Sequence, residues 1–129
     1  MVNVTGINLA VGETLFPTNV VDLVNIVTDA RSTGTSLYPL STGLNWGYGS
    51  RSPVRTGATL VDLSGMNQIL NAAKISLDTP VAVIEPGVTQ LQLHEFLCRN
   101  CPELTFNVTG AGRDTSILWY TSSSEVFRK

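Results

Sequence analysis

Leu37 to Val54, reading LYPLSTGLNWGYGSRSPV, constrains this chain more than any other segment, because a short apolar run passes directly into a loop crowded with glycine. Tyr38, Pro39 and Leu40 spell a buried strand, and the apolar pattern stops at Ser41-Thr42-Gly43. Gly43, Gly47 and Gly49 follow at close spacing. Glycine enters positive φ at no steric cost and lets a ligand approach the main chain, so consecutive amides can converge on one anionic group. Ser41, Thr42, Asn45 and Ser50 add side-chain donors, while Trp46 and Tyr48 are placed to cover the loop or pack beneath it. A hydrogen bond to a charged oxygen contributes roughly 1.5 to 3 kcal/mol, so three or four amides suffice to hold a diphosphate. No lysine or arginine lies in the loop before Arg51. The same spelling also suits a tight turn that binds nothing, since it is neither a Walker A sequence nor the G-x-G-x-x-G fingerprint.

A second such loop, Asn107-Val108-Thr109-Gly110-Ala111-Gly112-Arg113-Asp114-Thr115-Ser116, repeats the combination of spaced glycines and hydroxyl donors. A dinucleotide needs its diphosphate and its rings held at separated points, and two loops meet that need. Arg113 is the obvious cation beside a phosphate, and a contact with Asp114 or another carboxylate fits the sequence equally well.

The elements between the loops alternate. Thr18 or Asn19 caps a helix whose positions Val20, Leu23, Val24 and Val27 recur at helical spacing, ending near Ala30 to Gly34 and packing on a sheet. Ala58 to Leu63 reads as a strand, Met66 to Leu70 as a short turn or helical segment, and Ala72 to Leu77 and Val81 to Ile84 as two further strands around a turn at Asp78-Thr79-Pro80. Glu85-Pro86-Gly87 ends the last of these, and Thr89 caps a second helix with Leu91, Leu93, Phe96 and Leu97 on its apolar face. Asp62 and Glu85 end strands and are expected to be turn residues exposed to water rather than an acid and a base.

Composition excludes several functions. At 129 residues and 43% hydrophobic content the chain holds enough apolar surface for a core, so it is not a disordered tail. A formal net charge of -2 with no basic stripe argues against nucleic acid and anionic membranes. The amino terminus has neither a basic n-region nor an apolar h-region, and no apolar run approaches membrane-spanning length, so a cytoplasmic location is the default expectation. The sequons at Asn3 and Asn107 are then coincidental. Cys98 and Cys101 form a C-x-x-C pair that closes a helical pattern instead of opening one and has no second pair to complete a zinc site, so both read as structural. His94, the sole histidine, reads as a surface or packing residue, leaving no catalytic and no metal-binding residue assigned.

Four motifs in order, PLSTGLNWGYGSRSPV, LVDLSGMNQI, AVIEPGVTQLQL and NVTGAGRDTSI, resemble the amino-terminal part of the FAD-binding domain of the vanillyl-alcohol oxidase and p-cresol methylhydroxylase family. The S-T-G-x-N-x-G-Y-G-S loop is typical of its 4-alkylphenol-oxidising branch. The resemblance implies an α+β fold: the first subdomain of the PCMH-type FAD-binding fold, a small βαβ-type sheet with flanking helices, truncated before the second subdomain is complete. It divides the chain into an amino-terminal segment (1–16), a partial FAD-binding domain (17–118) and an unmatched tail (119–129).

The resemblance also implies FAD as cofactor, with Ser41, Thr42, Gly43, Leu44, Asn45, Gly47, Tyr48 and Gly49 around the diphosphate. Pro86, Gly87 and Val88 of the P-G-V turn, and Gly110, Gly112, Arg113, Asp114, Thr115 and Ser116, are the other implied contacts. Family members transfer hydride from the benzylic carbon of a para-substituted phenol to the flavin, and the quinone methide is then hydrated or released. The substrate cap, the phenolate-holding residues and a flavin-tethering residue have no counterpart here, and Asn45-Trp46-Gly47-Tyr48 lacks the histidine that tethers flavin in related proteins. The expectation is therefore an FAD-binding part that is not a competent oxidase alone, from a truncated or frameshifted longer enzyme or from a split protein, with a phenolic substrate only in the full-length parent. The other open reading is a noncatalytic nucleotide-binding or interaction module that keeps part of the fold.

Overall fold

A computed structural model describes residues 9–44, 51–106 and 112–117, together with the backbone of 126–128. The chain forms two compact units, residues 1–66 and 67–129.

The first unit is built on a three-stranded parallel sheet, β1 (Thr14–Leu15), β2 (Leu37–Leu40) and β3 (Thr59–Asp62), in the order β1-β3-β2. Parallel neighbours need a crossover, and helix α1 (Val20–Thr33) supplies it between β1 and β2. Asn19 caps the helix by accepting from the Asp22 N–H at 3.0 Å, while the Asp22 carboxylate accepts from the Thr18 N–H and the Asn19 side-chain amide. This reciprocal arrangement satisfies donors that the first turn leaves without intrahelical partners. At the other end Gly34 takes φ +70° and Thr35 donates to the Ala30 carbonyl at 2.9 Å, closing the helix in a Schellman turn.

α1 does not present the expected valines to the sheet. Val20, Val24 and Val27 are 62%, 56% and 51% exposed, and the sheet side is formed by Leu23, Ile26 and the buried Ala30. Both sets recur at helical spacing, so periodicity alone does not choose between them, and the small Ala30 suits close packing of the last turn. Pro39 sits in an edge strand, exposed and opposite Val61, where its missing N–H costs no ladder bond, so β2 is half-buried rather than the buried strand expected. β1 was not anticipated. Its approach to the central strand is close enough that a Cβ on Gly12 would lie 2.6 Å from the Gly57 carbonyl oxygen.

In the second unit, helix α2 (Gln90–Asn100) buries Leu93 and Leu97 among Ile75, Ala82, Val88, Leu104 and Ile117. Thr89 caps it through its hydroxyl, which accepts from the Gln92 N–H at 3.1 Å. Strands β4 (Leu104–Phe106) and β5 (Val126–Arg128) pair antiparallel. The expected strand at Ala72 to Leu77 is replaced by a 3-10 turn over Ala72–Lys74 and a Ser76 to Thr79 turn. Asn71 explains the interruption: its side chain donates to the Val81 carbonyl and accepts from the Val83 N–H, standing in for a backbone partner where a ladder would continue. Val81 to Ile84 forms isolated bridges instead of a continuous strand, among them the antiparallel Ile69 and Ile84 bridge, beside the 2.7 Å bond from the Leu70 N–H to the Val83 carbonyl.

Two glycines in the first unit separate conformational from steric demand. Gly34→Ala meets nothing within 4 Å and bears only the left-handed φ, a loss of about 1 kcal/mol. Gly12→Ala drives a methyl into backbone and should cost about 2 kcal/mol or more. Urea denaturation midpoints check the order, and equal losses would show that β1 does not lie this close to Gly57.

Candidate FAD-binding loops

The first glycine loop leaves β2 at the carboxyl end of a parallel sheet, where α/β sheets present ligand-binding loops. Ser41, Thr42 and Gly43 are half-buried and Leu44 is exposed, while Asn45, Gly47, Tyr48 and Gly49 lie outside the described residues. Gly43 adopts φ +67°, the left-handed conformation that its sequence context demanded.

Beneath this loop lies a feature that sequence reasoning assigned wrongly. Asp62 is buried at the end of β3, directly opposite Leu40, and is not the water-exposed turn residue expected. Its Oδ1 accepts from the Ser64 N–H at 3.0 Å, and its Oδ2 accepts from Arg51 Nη2 at 3.1 Å. Arg51 Nη1 reaches the Thr42 carbonyl at 3.3 Å. The strand ends one residue later in the Leu63–Gly65 3-10 turn that Asp62 caps, so the carboxylate serves the turn and the ion pair together.

The P-G-V turn and the carboxyl-terminal half of the second loop come together within the second unit. The Val88 N–H donates to the Glu85 carbonyl, Thr89 bridges Ser116 in antiparallel fashion, and the Ile117 N–H donates to the Val88 carbonyl at 3.1 Å. Glu85 is half-buried and accepts from the Gln68 N–H at 2.8 Å, which fixes it structurally. The first two amides of α2 are also committed, Gln90 N–H to the Thr115 carbonyl at 3.0 Å and Leu91 N–H to the Arg113 carbonyl at 2.8 Å. With Gln92 capped by Thr89, the helix start has no amide among these three left for an anion.

Among the residues expected at the cofactor, Gly87, Val88, Thr115 and Ser116 are buried, and Pro86 is half-buried. Gly112, Arg113 and Asp114 are exposed, with Arg113 Nε 3.8 Å from Asp114 Oδ1, and Gly110 lies outside the described residues.

Elsewhere in the second unit, Cys98 Sγ lies 3.6 Å from Nε2 of the exposed His94, and Cys101 donates its thiol to the Ile75 carbonyl. No group of three or more metal-ligating side chains occurs among the described residues. No helix among them is long and apolar enough to cross a membrane.

A βαβ unit whose parallel strand feeds a glycine turn is an arrangement that nucleotide-binding α/β sheets use. The chain matches the FAD binding domain family over residues 13–117 and belongs to it. It is 44% identical over 89 residues to 1'-carboxy-chondrochloren decarboxylase of Chondromyces crocatus, covering 69% of this chain and 16% of that protein. Against the flavoprotein subunit of 4-cresol dehydrogenase [hydroxylating] from Pseudomonas putida it is 41% identical over 64 residues, covering 50% and 12%. The structure superposes on a 4-ethylphenol oxidase from Gulosibacter chungangensis, in complex with isoeugenol, with a TM-score of 0.70 at 30% identity, over 81% of this chain and 20% of that one. The fold is thus the partial PCMH-type FAD-binding fold, and the cofactor is FAD.

The residues present fit that group at the first loop. Gly43 turns where a Cβ would meet the Arg51 Cγ and Nη1 at 2.7 Å, so glycine is required there on two counts, space and φ. Gly43→Ala should raise the FAD dissociation constant at least about tenfold, the equivalent of one charged hydrogen bond. Flavin fluorescence titration reads it, and an unchanged constant would remove the turn from the cofactor site.

Proposed function

We propose that this chain supplies the diphosphate-binding part of the FAD site of a flavoprotein that oxidises 4-alkylphenol or vanillyl-alcohol-type substrates by hydride transfer. The observation that carries the reading is the Ser41 to Gly43 turn at the end of a parallel strand, with Gly43 at φ +67°. Bound FAD supplies the hydride acceptor; the chain's own residues bind and orient it. Ser41, Thr42, Gly43 and Leu44, with Asn45, Gly47, Tyr48 and Gly49 continuing the loop, cradle the diphosphate through main-chain amides and hydroxyls. Pro86, Gly87 and Val88, with Gly110, Gly112, Arg113, Asp114, Thr115 and Ser116, contribute the second contact region. Because Val88, Thr115 and Ser116 are buried and bonded in turn to Ile117, Gln90 and Thr89, they shape that region through backbone, and the exposed Arg113 is its cation.

The substrate class comes from two of the three named proteins, a 4-cresol dehydrogenase subunit and a 4-ethylphenol oxidase. The chain spans 16% and 12% of the two curated relatives, so phenol oxidation is assigned to a longer parent protein, and this chain alone binds FAD weakly without turnover.

A second reading, a noncatalytic nucleotide-binding or interaction module, is favoured by the exposed stripe Val20, Val24 and Val27 on α1, together with the exposed Val21 beside it. Titration of the purified chain with FAD should quench flavin fluorescence, and subsequent addition of a 4-alkylphenol without oxygen should leave the flavin band intact. Absence of quenching at high micromolar FAD would remove the FAD-site reading for this chain. Bleaching by the phenol would overturn its catalytic incompetence.

A further inference from the structure

Glycine at position 43 creates a problem as well as solving one. A peptide unit followed by glycine can lie in either of two orientations, because glycine tolerates both signs of φ, so the Thr42–Gly43 peptide needs something else to fix it. Arg51 meets that need. Its Nη1 donates to the Thr42 carbonyl at 3.3 Å, and its Nη2 donates to Asp62 Oδ2 at 3.1 Å. Asp62 is itself immobilised, buried at the end of the fully buried strand β3 and holding the Ser64 N–H at 3.0 Å. The arginine stem passes so close to Gly43 that its Cγ and Nη1 occupy the space a Cβ would need.

We propose that Arg51 is a positioning residue of the cofactor loop: by tying the Thr42 carbonyl to Asp62 it sets the direction of the Gly43 N–H. In a planar trans peptide the carbonyl and the N–H point opposite ways, so a carbonyl drawn toward Arg51 directs the Gly43 N–H away from it. The guanidinium charge is committed to Asp62, and Arg51 acts on the diphosphate through the backbone and not as its counter-ion. This inference rests on the reading of residues 41–44 as the diphosphate cradle.

Two roles for Arg51 give opposite responses to Asp62→Asn. A counter-ion released from its carboxylate would bind the diphosphate more tightly, whereas a positioning residue that loses its anchor would weaken binding. The test uses the complete chain and the variants Asp62→Asn, Arg51→Gln and Arg51→Lys. FAD affinity is read by flavin fluorescence, and amide hydrogen exchange is read for residues 42–44 and for α2.

Asp62→Asn and Arg51→Gln should each raise the FAD dissociation constant about tenfold. Exchange at residues 42–44 should accelerate in both variants without FAD present, while α2 stays protected. Arg51→Lys should not restore either property, since one ammonium cannot reproduce two donors held in a fixed fork. Asp62→Asn keeps shape and an acceptor, so it carries the test where Arg51→Gln compromises folding.

Tighter FAD binding by Asp62→Asn, or unchanged exchange at residues 42–44 in Arg51→Gln, would overturn the proposal. Failure of the unsubstituted chain to bind FAD, with exchange still responding to both variants, would instead overturn the cradle reading and leave the anchoring of the loop standing.

Discussion

All four residues of β3 are buried, which is what a central parallel strand with neighbours on both edges requires, and the last of them is an aspartate. A carboxylate in that position must be hydrogen-bonded, because leaving a buried charged group without a partner costs more than the roughly 1–3 kcal/mol of a neutral one. Arg51 and the Ser64 amide provide those partners. Satisfying Asp62 therefore draws in a residue from beyond the glycine loop and fixes the turn that ends the strand. It also brings a guanidinium under the Thr42 carbonyl. The tie between Arg51 and the Ser41 to Gly43 turn follows from the need to solvate one carboxylate.

The second unit answers its own polar demands differently. The start of α2 would ordinarily offer several amides to an anion. Here the carbonyls of Arg113 and Thr115 take two of them and the Thr89 hydroxyl a third. The segment 112–117 is thereby secured to the P-G-V turn, with Ile117 and Val88 entering the core beside Leu93 and Leu97. Its backbone carbonyls make the join between loop and helix. The Gln90 side-chain nitrogen is buried without a hydrogen-bond partner among the described residues, the one such atom there.

Local rules written in single residues were legible: the Asn19 and Thr89 caps, the Gly34 terminus, the turn before Val88, and the left-handed Gly43 that the strand-to-loop junction demanded. Pairings that depend on distant partners were not. β1 is two residues long, too short for alternation to register, and it exists because Gly12 admits the Gly57 backbone. Which stripe of α1 faces the sheet depends on whether the small Ala30 or the larger valines approach it. Ala72 to Leu77 has the composition of a strand, yet Asn71 takes the backbone groups such a strand would have used. Asp62 was misread because an acidic residue at a strand end is ordinarily solvated, and its partner lies eleven residues earlier, just after the glycine loop.

The two arginines beside the glycine loops differ in what they can offer a phosphate. Both are next to a carboxylate, but the Arg113 and Asp114 pair is exposed on both sides, 71% and 68%, and separated by 3.8 Å. Such pairs contribute about 0–1 kcal/mol, so Arg113 can leave Asp114 at little cost. The Arg51 pair sets a one-third exposed guanidinium against a buried carboxylate, and that guanidinium also holds a carbonyl. Releasing it would leave Asp62 buried with only the Ser64 amide described at it and without its counter-charge. The cation nearer in sequence to the first loop is thus the one bound into the structure, and on the proposed reading a diphosphate there is met by amides and hydroxyls. That reading accounts for a loop spelled with glycine, serine and threonine instead of lysine, and for an arginine after it whose proposed part is to direct an N–H bond and not to supply charge.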